Sequence, residues 1–381
     1  MFYGQVVVLL KKIILFLSLL SLPLMGSIIS FADDLNVSAK SAILICADSS
    51  QIIFSKNETE KLSMASTTKI MTALLTIESS QVDNKEITIT DKMVRVEGSS
   101  MGLRAGDVVT LDSLAKGMLL CSGNDAANSV AIAIAENTEN FANLMNERAK
   151  QIGMNNTNFV TPSGLDDENH YTTAYDMALL GAYAMDNIAF KEIASQKSMY
   201  VNFINPAKRV CYSNHNRLLT MYEGCIGVKT GFTKKSGRCL VSCAERNGIR
   251  LVAVTLNAPD DWNDHIKMFD YGFSNVQKIT LDDTNLNLQE PVISSPEQSI
   301  TVNCKNAVSI TINSKDAGNI TKKIKIPKFL YAPIKKEQIV GSIDYELNGK
   351  VLASVDLISS NDAILEEKKN LFSWLLNLFR T

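Results

Sequence analysis

The sequence predicts an α+β domain, in which an antiparallel sheet accompanies a helical region, followed by a small all-β sandwich domain. Strand-type and helix-type hydrophobic patterns both occur up to about residue 275, whereas strand-type alternation dominates after it. A length of 381 residues is enough for about two domains. Hydrophobic residues make up 46% of the chain and prolines number only 8, which excludes a disordered or collagen-like chain. Because 38 basic residues nearly balance 40 acidic ones, no nucleic acid is expected as a partner.

Residues 1–32 have the features of a signal peptide. Lys11 and Lys12 precede an apolar run, and Ser30-Phe31-Ala32 supplies the small residues that a signal peptidase requires. The sequence therefore predicts export with cleavage after Ala32. An uncleaved membrane anchor is the alternative, because few polar residues interrupt the apolar stretch.

The first domain is predicted over residues 33–275. A polar turn between two short apolar segments predicts a hairpin near its start, and Asn247-Gly248 predicts a second hairpin near its end. Between them, segments that are apolar on more than one face predict buried helices. The expected strands are Ser41–Cys46, Gln51–Phe54, Ile226–Thr233, Arg238–Ala244 and Ile249–Leu256, and the expected helices are 66–79, Leu111–Cys121 and Asp125–Glu136.

The β domain is predicted over residues 280–358. Apolar and polar residues alternate in short segments, and Asn348-Gly349 is a strong hairpin turn. The expected strands are Ser299–Val302, Val308–Ile312, Ile320–Ile326, Val340–Leu347 and Lys350–Leu357.

The last segment, residues 364–381, is predicted to contain an amphipathic helix. Between Asn370 and Arg380 the leucines and phenylalanines fall on one helical face, with Ser373 and Asn377 opposite. At about 1.5 Å per residue the helix is too short to span a bilayer, so we expect it to lie on the membrane surface as an anchor. Packing on the β domain or on a second copy of the chain is the alternative.

Seven cysteines would reach an oxidising compartment if the chain is exported. Their odd number leaves at least one thiol unpaired or paired between chains. Neither a CxxC pair nor a Cys/His spacing indicates zinc, so no metal and no cofactor is predicted. We interpret most of the cysteines as small buried apolar side chains, and their disulfide state stays open.

Ser66 and Lys69 form an SxxK motif at the start of a predicted helix. At this spacing the hydroxyl and the amine share one helical face. Backbone N–H groups at a helix N-terminus can stabilise a developing oxyanion, and an amine whose pKa is lowered by burial can accept the serine proton. The pair is therefore a candidate nucleophile and base, although SxxK alone is a common pattern.

Two further motifs follow in the chain. Ser122-Gly123-Asn124 lies between two predicted helices, where a loop can direct a hydroxyl and an amide into a cleft. Lys229-Thr230-Gly231 lies on a predicted strand and supplies a cation, a hydroxyl and a glycine that allows close backbone approach to a ligand. Each motif is common by itself, but the order and spacing of the three are specific.

The three motifs together resemble those of the penicillin-binding, active-site serine acyl transferases. The flanking residues are similar to those of the low-molecular-mass D-alanyl-D-alanine carboxypeptidases, and this resemblance covers nearly all of the chain after residue 32. It implies a penicillin-binding/β-lactamase-like transpeptidase fold for the first domain. The segments that carry it include Met64–Thr72, Ser99–Leu103, Ser122–Ala127, Gly227–Thr233, Asp270–Phe273 and Ala332–Lys336.

The resemblance implies the roles of four residues in acyl transfer. Ser66 would attack the peptide carbonyl between two D-alanines and form an acyl-enzyme, and Lys69 would accept its proton. Ser122, together with Lys229, would relay a proton to the leaving amine. Water would then hydrolyse the ester.

The resemblance also implies the residues that bind the substrate. Asn124 would bind the peptide amide, and Lys229 and Thr230 would hold the terminal carboxylate. Gly231 would allow close approach, and the backbone N–H groups of Ser66 and Phe232 would form the oxyanion hole. In the family, an arginine that helps bind the carboxylate often stands close to the asparagine before a Leu-Leu pair, which here are Asn216 and Leu218-Leu219. Here the chain has His215 and Arg217, and either could help.

The implied function is that of a serine-type D-Ala-D-Ala carboxypeptidase, which removes the terminal D-alanine from peptidoglycan pentapeptide stems and is inhibited by β-lactams. The expected location is the outer face of the cytoplasmic membrane, in the cell-wall or periplasmic space. One alternative is a serine β-lactamase, but residues 125–228 lack the Glu-x-x-Leu-Asn segment of class A members. Another is a non-catalytic cell-wall binding module, which the intact motifs disfavour. The oligomeric state and the third stem-peptide residue are not predicted.

Overall fold

The computed structural model of the protein describes residues 35–366. The expected signal peptide and the expected C-terminal amphipathic helix therefore lie outside the described residues. Within that range, no helix combines the length and the apolar character needed to cross a bilayer.

A five-stranded antiparallel sheet forms the centre of the first domain, with strand order β2-β1-β9-β8-β7. The hairpins expected near the start and near the end of the domain are confirmed, and both belong to this one sheet. β7 is an edge strand and carries the third motif. The strands are β1 (Ser41–Cys46), β2 (Ile52–Lys56), β7 (Cys225–Thr233), β8 (Gly237–Arg246) and β9 (Ile249–Leu256), and two small hairpins pair β3 (Glu86–Thr88) with β4 (Val108–Thr110) and β5 (Ser198–Phe203) with β6 (Lys208–Ser213).

Helices cover both faces of this sheet. A helix over Ala174–Asp186 packs on one face, where Gly181 lies against Val241 and Val252. A helix over Asp261–Asn275 packs on the other, where Gly272 lies against Leu44 and Leu251. Because successive side chains of a strand point to opposite faces, Val252 and Leu251 identify the two faces directly. The described helices are α1 (Lys69–Val82), α2 (Asp91–Val94), α3 (Leu111–Leu120), α4 (Asn124–Ala135), α5 (Thr138–Ile152), α6 (Ala174–Asp186), α7 (Ile188–Ala194), α8 (Leu218–Met221) and α9 (Asp261–Asn275).

Side-chain caps explain where several helices begin. Thr110 accepts a hydrogen bond from the backbone N–H of Ser113 at the start of α3, and Thr173 does the same for Asp176 at the start of α6. Each cap satisfies a backbone donor that the helix itself leaves unpaired. The expected helix over 66–79 differs at its start, because residues 65–68 form a 3-10 turn and the α-helix begins at Lys69.

The β domain contains a six-stranded sheet with strand order β14-β16-β17-β12-β11-β15 and a two-stranded sheet of β10 and β13. Ile310 and Ile312 of the smaller sheet pack against Leu347 and Leu352 of the larger one. The expected strands are all present, and the alternating pattern had predicted their positions to within two residues. The strands are β10 (Val276–Leu281), β11 (Leu288–Ile293), β12 (Ser299–Cys304), β13 (Val308–Asn313), β14 (Thr321–Lys325), β15 (Leu330–Tyr331), β16 (Ile339–Leu347) and β17 (Lys350–Ser359).

The turn between β1 and β2 joins the first domain to the β domain. The Asp48 carboxylate accepts hydrogen bonds from the backbone N–H and the hydroxyl of Thr311, and the Ser49 hydroxyl donates to the Thr311 carbonyl. These contacts attach β13 directly to the sheet that carries the third motif.

Candidate active site

Ser66 lies in the 3-10 turn over residues 65–68, which leads directly into α1. The hydroxyls of Thr67 and Thr68 donate back to the carbonyls of Met64 and Ala65, at 2.6 and 2.8 Å. Ala65, Thr67 and Thr68 are buried, whereas Ser66 is partly exposed. The turn therefore fixes its own backbone and leaves the serine hydroxyl accessible. We call residues 64–68 the nucleophile turn.

Lys69, the first residue of α1, is fully buried. Its Nζ lies 2.9 Å from Oγ of Ser66 and 2.6 Å from the carbonyl oxygen of Ser163. Burial lowers the pKa of Lys69 well below the ordinary value, and the positive charge of Lys229 lowers it further. The amine is thus suited to accept the Ser66 proton.

Lys229 on β7 is also buried, and its Nζ donates to the Thr230 carbonyl at 2.9 Å. Burial lowers its pKa to about 8, an effect that the neighbouring Cys121 thiol opposes. The charges of Lys69 and Lys229 repel each other, so protonation of one amine disfavours protonation of the other. Burial and this repulsion therefore both favour a neutral amine at Lys69, next to Ser66.

The second motif runs from the end of α3 into α4, with Asn124 as the first residue of α4. Ser122 has a φ of 61°, in the left-handed region, and lines the same cleft as Ser66. Asn124 is held by two hydrogen bonds, from its backbone N–H to the Ser99 carbonyl at 2.7 Å and from Nδ2 to the Glu97 carbonyl at 2.6 Å. Its Oδ1 is buried and has no partner among the described residues. A buried acceptor without a partner is available to a ligand N–H.

The third motif brings the edge of the sheet against the nucleophile turn. A Cβ atom on Gly231 would lie 3.0 Å from the Met64 carbonyl oxygen and from the backbone nitrogens of Ser66 and Thr67. A side chain at this position would press against the nucleophile turn, so the glycine permits the close approach. Thr230 and Phe232 line the cleft, and the Phe232 side chain is 65% exposed.

The cleft has a volume of about 280 Å³ and brings together residues from every motif. Ser66, Ser122, Thr230, Gly231 and Phe232 all line it. Lys69, Asn124 and Lys229 lie buried behind that surface. Within residues 35–366, no group of three or more His, Cys, Asp or Glu side chains could hold a metal ion.

Arg238 also lines the cleft, and the sequence reasoning missed it. It pairs with Phe232 across β7 and β8, and its Nε and Nη2 donate to Oδ1 of Asp261 at 2.9 and 2.7 Å. Asp261 is 3% exposed, and the guanidinium lies over the Trp262 ring at 5.3 Å. Of the two residues expected to help bind a carboxylate, His215 lines the cleft and Arg217 does not. The sequence could have indicated Arg238, because the register of the β7–β8 hairpin places it opposite Phe232, close to the third motif.

Asp125, directly after the second motif, is another residue that the sequence reasoning missed. Its carboxylate accepts hydrogen bonds from the backbone N–H groups of Met101, Gly102 and Leu103, and from the Ser100 hydroxyl. The carboxylate thereby organises the loop that follows Ser99 at the edge of the cleft. The sequence analysis predicted only that a helix begins at Asp125 and gave its carboxylate no role.

Two family models match the chain. Residues 29–260 match the model described as D-alanyl-D-alanine carboxypeptidase, and residues 276–363 match the model of the C-terminal domain of penicillin-binding protein 5.

Individual proteins with similar sequences and structures agree with these matches. D-alanyl-D-alanine carboxypeptidase DacF of Bacillus subtilis is 34% identical over 337 residues, which cover 85% of each chain. DacC of Escherichia coli is 33% identical over 341 residues, which cover 85% of this chain and 84% of that protein. Penicillin binding protein 5 from Haemophilus influenzae superposes with a TM-score of 0.71 at 29% identity, covering 86% of this chain and 98% of the other. The Streptomyces K15 DD-transpeptidase gives a TM-score of 0.59 at 28% identity, covering 63% of this chain and 98% of the other.

Proposed function

The chain belongs to the D-alanyl-D-alanine carboxypeptidase family, and from that membership we propose that Ser66 is acylated by peptides ending in D-alanyl-D-alanine, with release of the terminal D-alanine. One observation carries the assignment of the nucleophile: the buried amine of Lys69, whose pKa is lowered, lies 2.9 Å from Oγ of the accessible Ser66.

In acylation, Lys69 takes the Ser66 proton as Oγ bonds to the peptide carbonyl carbon. The backbone N–H groups of Ser66 and Phe232 stabilise the oxyanion that develops on the carbonyl oxygen. The close contact of Gly231 with the nucleophile turn supports this arrangement, because it brings the backbone of β7 next to Ser66. The carbon–nitrogen bond then breaks, and the leaving amine takes a proton from Lys69 through Ser122 and Lys229.

Substrate binding uses the charged and unpaired groups of the cleft. The peptide amide N–H donates to Oδ1 of Asn124, which otherwise has no partner among the described residues. The terminal carboxylate accepts from the Thr230 hydroxyl beside the Lys229 cation. Arg238 supplies a second positive charge to this end of the cleft, in the role for which the family resemblance had left His215 and Arg217 as candidates.

Acylation of Ser66 is tested with a fluorescent penicillin, which is an acyl donor that stays attached. We expect covalent label on the wild-type protein and none on Ser66→Ala. Ser63→Ala, a serine substitution in the same segment, is the matched control and should label like wild type. A wild-type protein that takes no label would overturn the assignment.

Release of D-alanine separates the carboxypeptidase from the two alternatives. A pentapeptide ending in D-alanyl-D-alanine should lose one D-alanine, and benzylpenicillin should be hydrolysed slowly in comparison. Rapid benzylpenicillin hydrolysis without D-alanine release would favour a β-lactamase. If the protein neither takes the label nor releases D-alanine, a non-catalytic binding module is favoured.

The location and the domain limits are further parts of the proposal. The chain is exported by residues 1–32, acts on peptidoglycan stems outside the cytoplasm through a catalytic domain at 33–275, and is held at the membrane surface by residues 364–381 after the β domain at 280–358. Truncation before Asn370 should move the protein from the membrane fraction to the soluble fraction. Identical fractionation of full-length and truncated chains would contradict the anchor.

A further inference from the structure

A loop of residues 159–170 supplies the amine of Lys69 with a second hydrogen-bond partner besides Ser66. Its ends meet where Asn158 and Tyr171 exchange two backbone hydrogen bonds, at 2.9 and 3.2 Å. The loop's Ser163 carbonyl accepts from Nζ of Lys69 at 2.6 Å, and its Pro162 carbonyl accepts from the Thr72 hydroxyl of α1 at 2.6 Å. We call residues 159–170 the carbonyl loop.

The carbonyl loop also packs against the nucleophile turn. A Cβ atom on Gly164 would lie only 1.9 Å from the Ala65 carbonyl oxygen, so the two backbones are in direct contact. The position of the Ser163 carbonyl relative to Ser66 therefore depends on how firmly the loop is joined to the turn.

One buried side chain makes that connection. His170 is 2% exposed, and its Nδ1 accepts hydrogen bonds from the backbone N–H groups of Val160 and Thr161, at 3.0 and 3.3 Å. Because Nδ1 is an acceptor, the proton of the neutral ring is on Nε2, which lies 2.8 Å from the Thr68 hydroxyl. That hydroxyl donates in turn to the Ala65 carbonyl at 2.8 Å. Through the ring, hydrogen bonds run from the backbone of the carbonyl loop to the backbone of the nucleophile turn.

The surroundings keep this imidazole neutral. Burial lowers the pKa of His170 to about 4, and the positive charge of Lys69 acts in the same direction. Asp166 and Asp167 of the loop act in the opposite direction without reversing the shift. The ring also makes an edge contact with Phe159, at 6.0 Å between centroids. The linking tautomer is therefore retained at neutral pH.

We propose that His170 is a positioning residue for acylation: by joining the carbonyl loop to the nucleophile turn, it places the Ser163 carbonyl so that the Lys69 amine is held beside Oγ of Ser66. This inference rests on the proposed function of Ser66 and Lys69. His170 itself does not touch the reacting atoms.

A loosened loop has a specific consequence for the pH dependence of acylation. The pKa of Lys69 is low mainly because the amine is buried. If the loop moves away, water reaches the amine and the pKa of Lys69 rises toward its ordinary value. Because only the neutral amine accepts the serine proton, the rising limb of the acylation rate moves to higher pH.

Two substitutions cut the link from opposite sides. His170→Asn keeps an acceptor for Val160 and Thr161 but loses the donor to Thr68. Thr68→Val keeps the size of the side chain but removes the hydroxyl. The second-order rate of acylation by a fluorescent penicillin is measured per folded molecule between about pH 5 and pH 10, with thermal unfolding measured in parallel. We expect both variants to lose roughly tenfold to a hundredfold in rate at neutral pH and to shift the rising limb upward.

His265 provides the matched control. It is another fully buried histidine whose pKa is lowered by burial, to about 3, and its ring contacts the hydroxyls of Ser242 and Thr255 on the other face of the sheet. His265→Asn should lower the unfolding temperature but leave the pH limb of acylation where it is in wild type. If the acylation rate rises at the same pH in wild type, His170→Asn and Thr68→Val, the positioning role is overturned. A wild-type protein that is not acylated at all would instead overturn the proposed function.

Discussion

Gly164→Ala tests the contact between the carbonyl loop and the nucleophile turn most directly. Gly164 has a φ of 84°, and an added Cβ would lie 1.9 Å from the Ala65 carbonyl oxygen, 2.5 Å from its carbonyl carbon and 2.7 Å from Oγ1 of Thr68. These atoms are backbone or are tied down by hydrogen bonds, so the loop itself must move.

The magnitude follows from two separate costs. A left-handed backbone costs a residue other than glycine about 1 kcal/mol. An extra methyl group in a closely packed site costs roughly 1–3 kcal/mol more. Gly164→Ala should therefore lower the free energy of unfolding by about 2–4 kcal/mol. The matched control is Gly153→Ala, where φ is 92° but nothing lies within 4 Å of the added Cβ. It should lose only about 1 kcal/mol.

Denaturant unfolding of both variants provides the comparison. Acylation by a fluorescent penicillin, measured per folded molecule, should fall by at least roughly tenfold in Gly164→Ala, because the Ser163 carbonyl moves with the loop. It should remain at the wild-type rate in Gly153→Ala. Equal losses of stability in the two variants would refute the steric reasoning, and unchanged acylation in Gly164→Ala would refute the role of the loop.

Three further predictions concern the cleft. Arg238→Ala should raise KM for a D-alanyl-D-alanine peptide by roughly tenfold, because a charge-assisted contact to the carboxylate is lost, and Arg238→Lys should not restore it. The pH profile of kcat/KM should rise as Lys69 loses its proton and fall as pH increases through about 8, where Lys229 loses the charge that attracts the carboxylate. Asp125→Ala should lower the free energy of unfolding by about 3 kcal/mol, because several backbone N–H groups lose their acceptor.

The two substitutions each have a control variant, and the pH profile has an outcome that would contradict it. Arg209→Ala removes an arginine that lies over the Tyr200 ring on β5 and β6, and it should leave KM unchanged. Asp112→Asn alters a partly exposed pair with Lys116 and should cost less than about 0.5 kcal/mol. A flat kcat/KM between about pH 7 and pH 9 would contradict the assignment of Lys229.

The sheet of the first domain was predictable because its signals are local. Alternating residues identify β7, β8 and β9, and Asn247-Gly248 lies where β8 turns into β9. The motif residues were predictable for a related reason, since SxxK places Ser66 and Lys69 close together in either helical geometry. The start of α1 was not, because the i, i+3 spacing fits a 3-10 turn as well as an α-helix.

The residues that the sequence did not reveal act through distant partners. His170 meets Thr68 across 102 positions of the chain, and Asp125 receives hydrogen bonds from a loop more than 20 residues before it. Arg238 depends on Asp261 across 23 positions. No local periodicity records such pairs, because they exist only after the sheet and helices have packed together.

The burial of the cysteines has a consequence for the chemistry that the chain can undergo in an oxidising compartment. All seven are free thiols, and burial raises the pKa of Cys46 and Cys239 to about 12 and that of Cys121 and Cys225 to about 11. At neutral pH the thiolate fraction of these four groups is on the order of one part in ten thousand or less, and thiol–disulfide exchange proceeds through the thiolate. Cys211, on β6, differs from these four because its side chain is exposed to solvent. In the folded protein the buried thiols therefore resist disulfide exchange kinetically, and Cys211 is the thiol most open to oxidation.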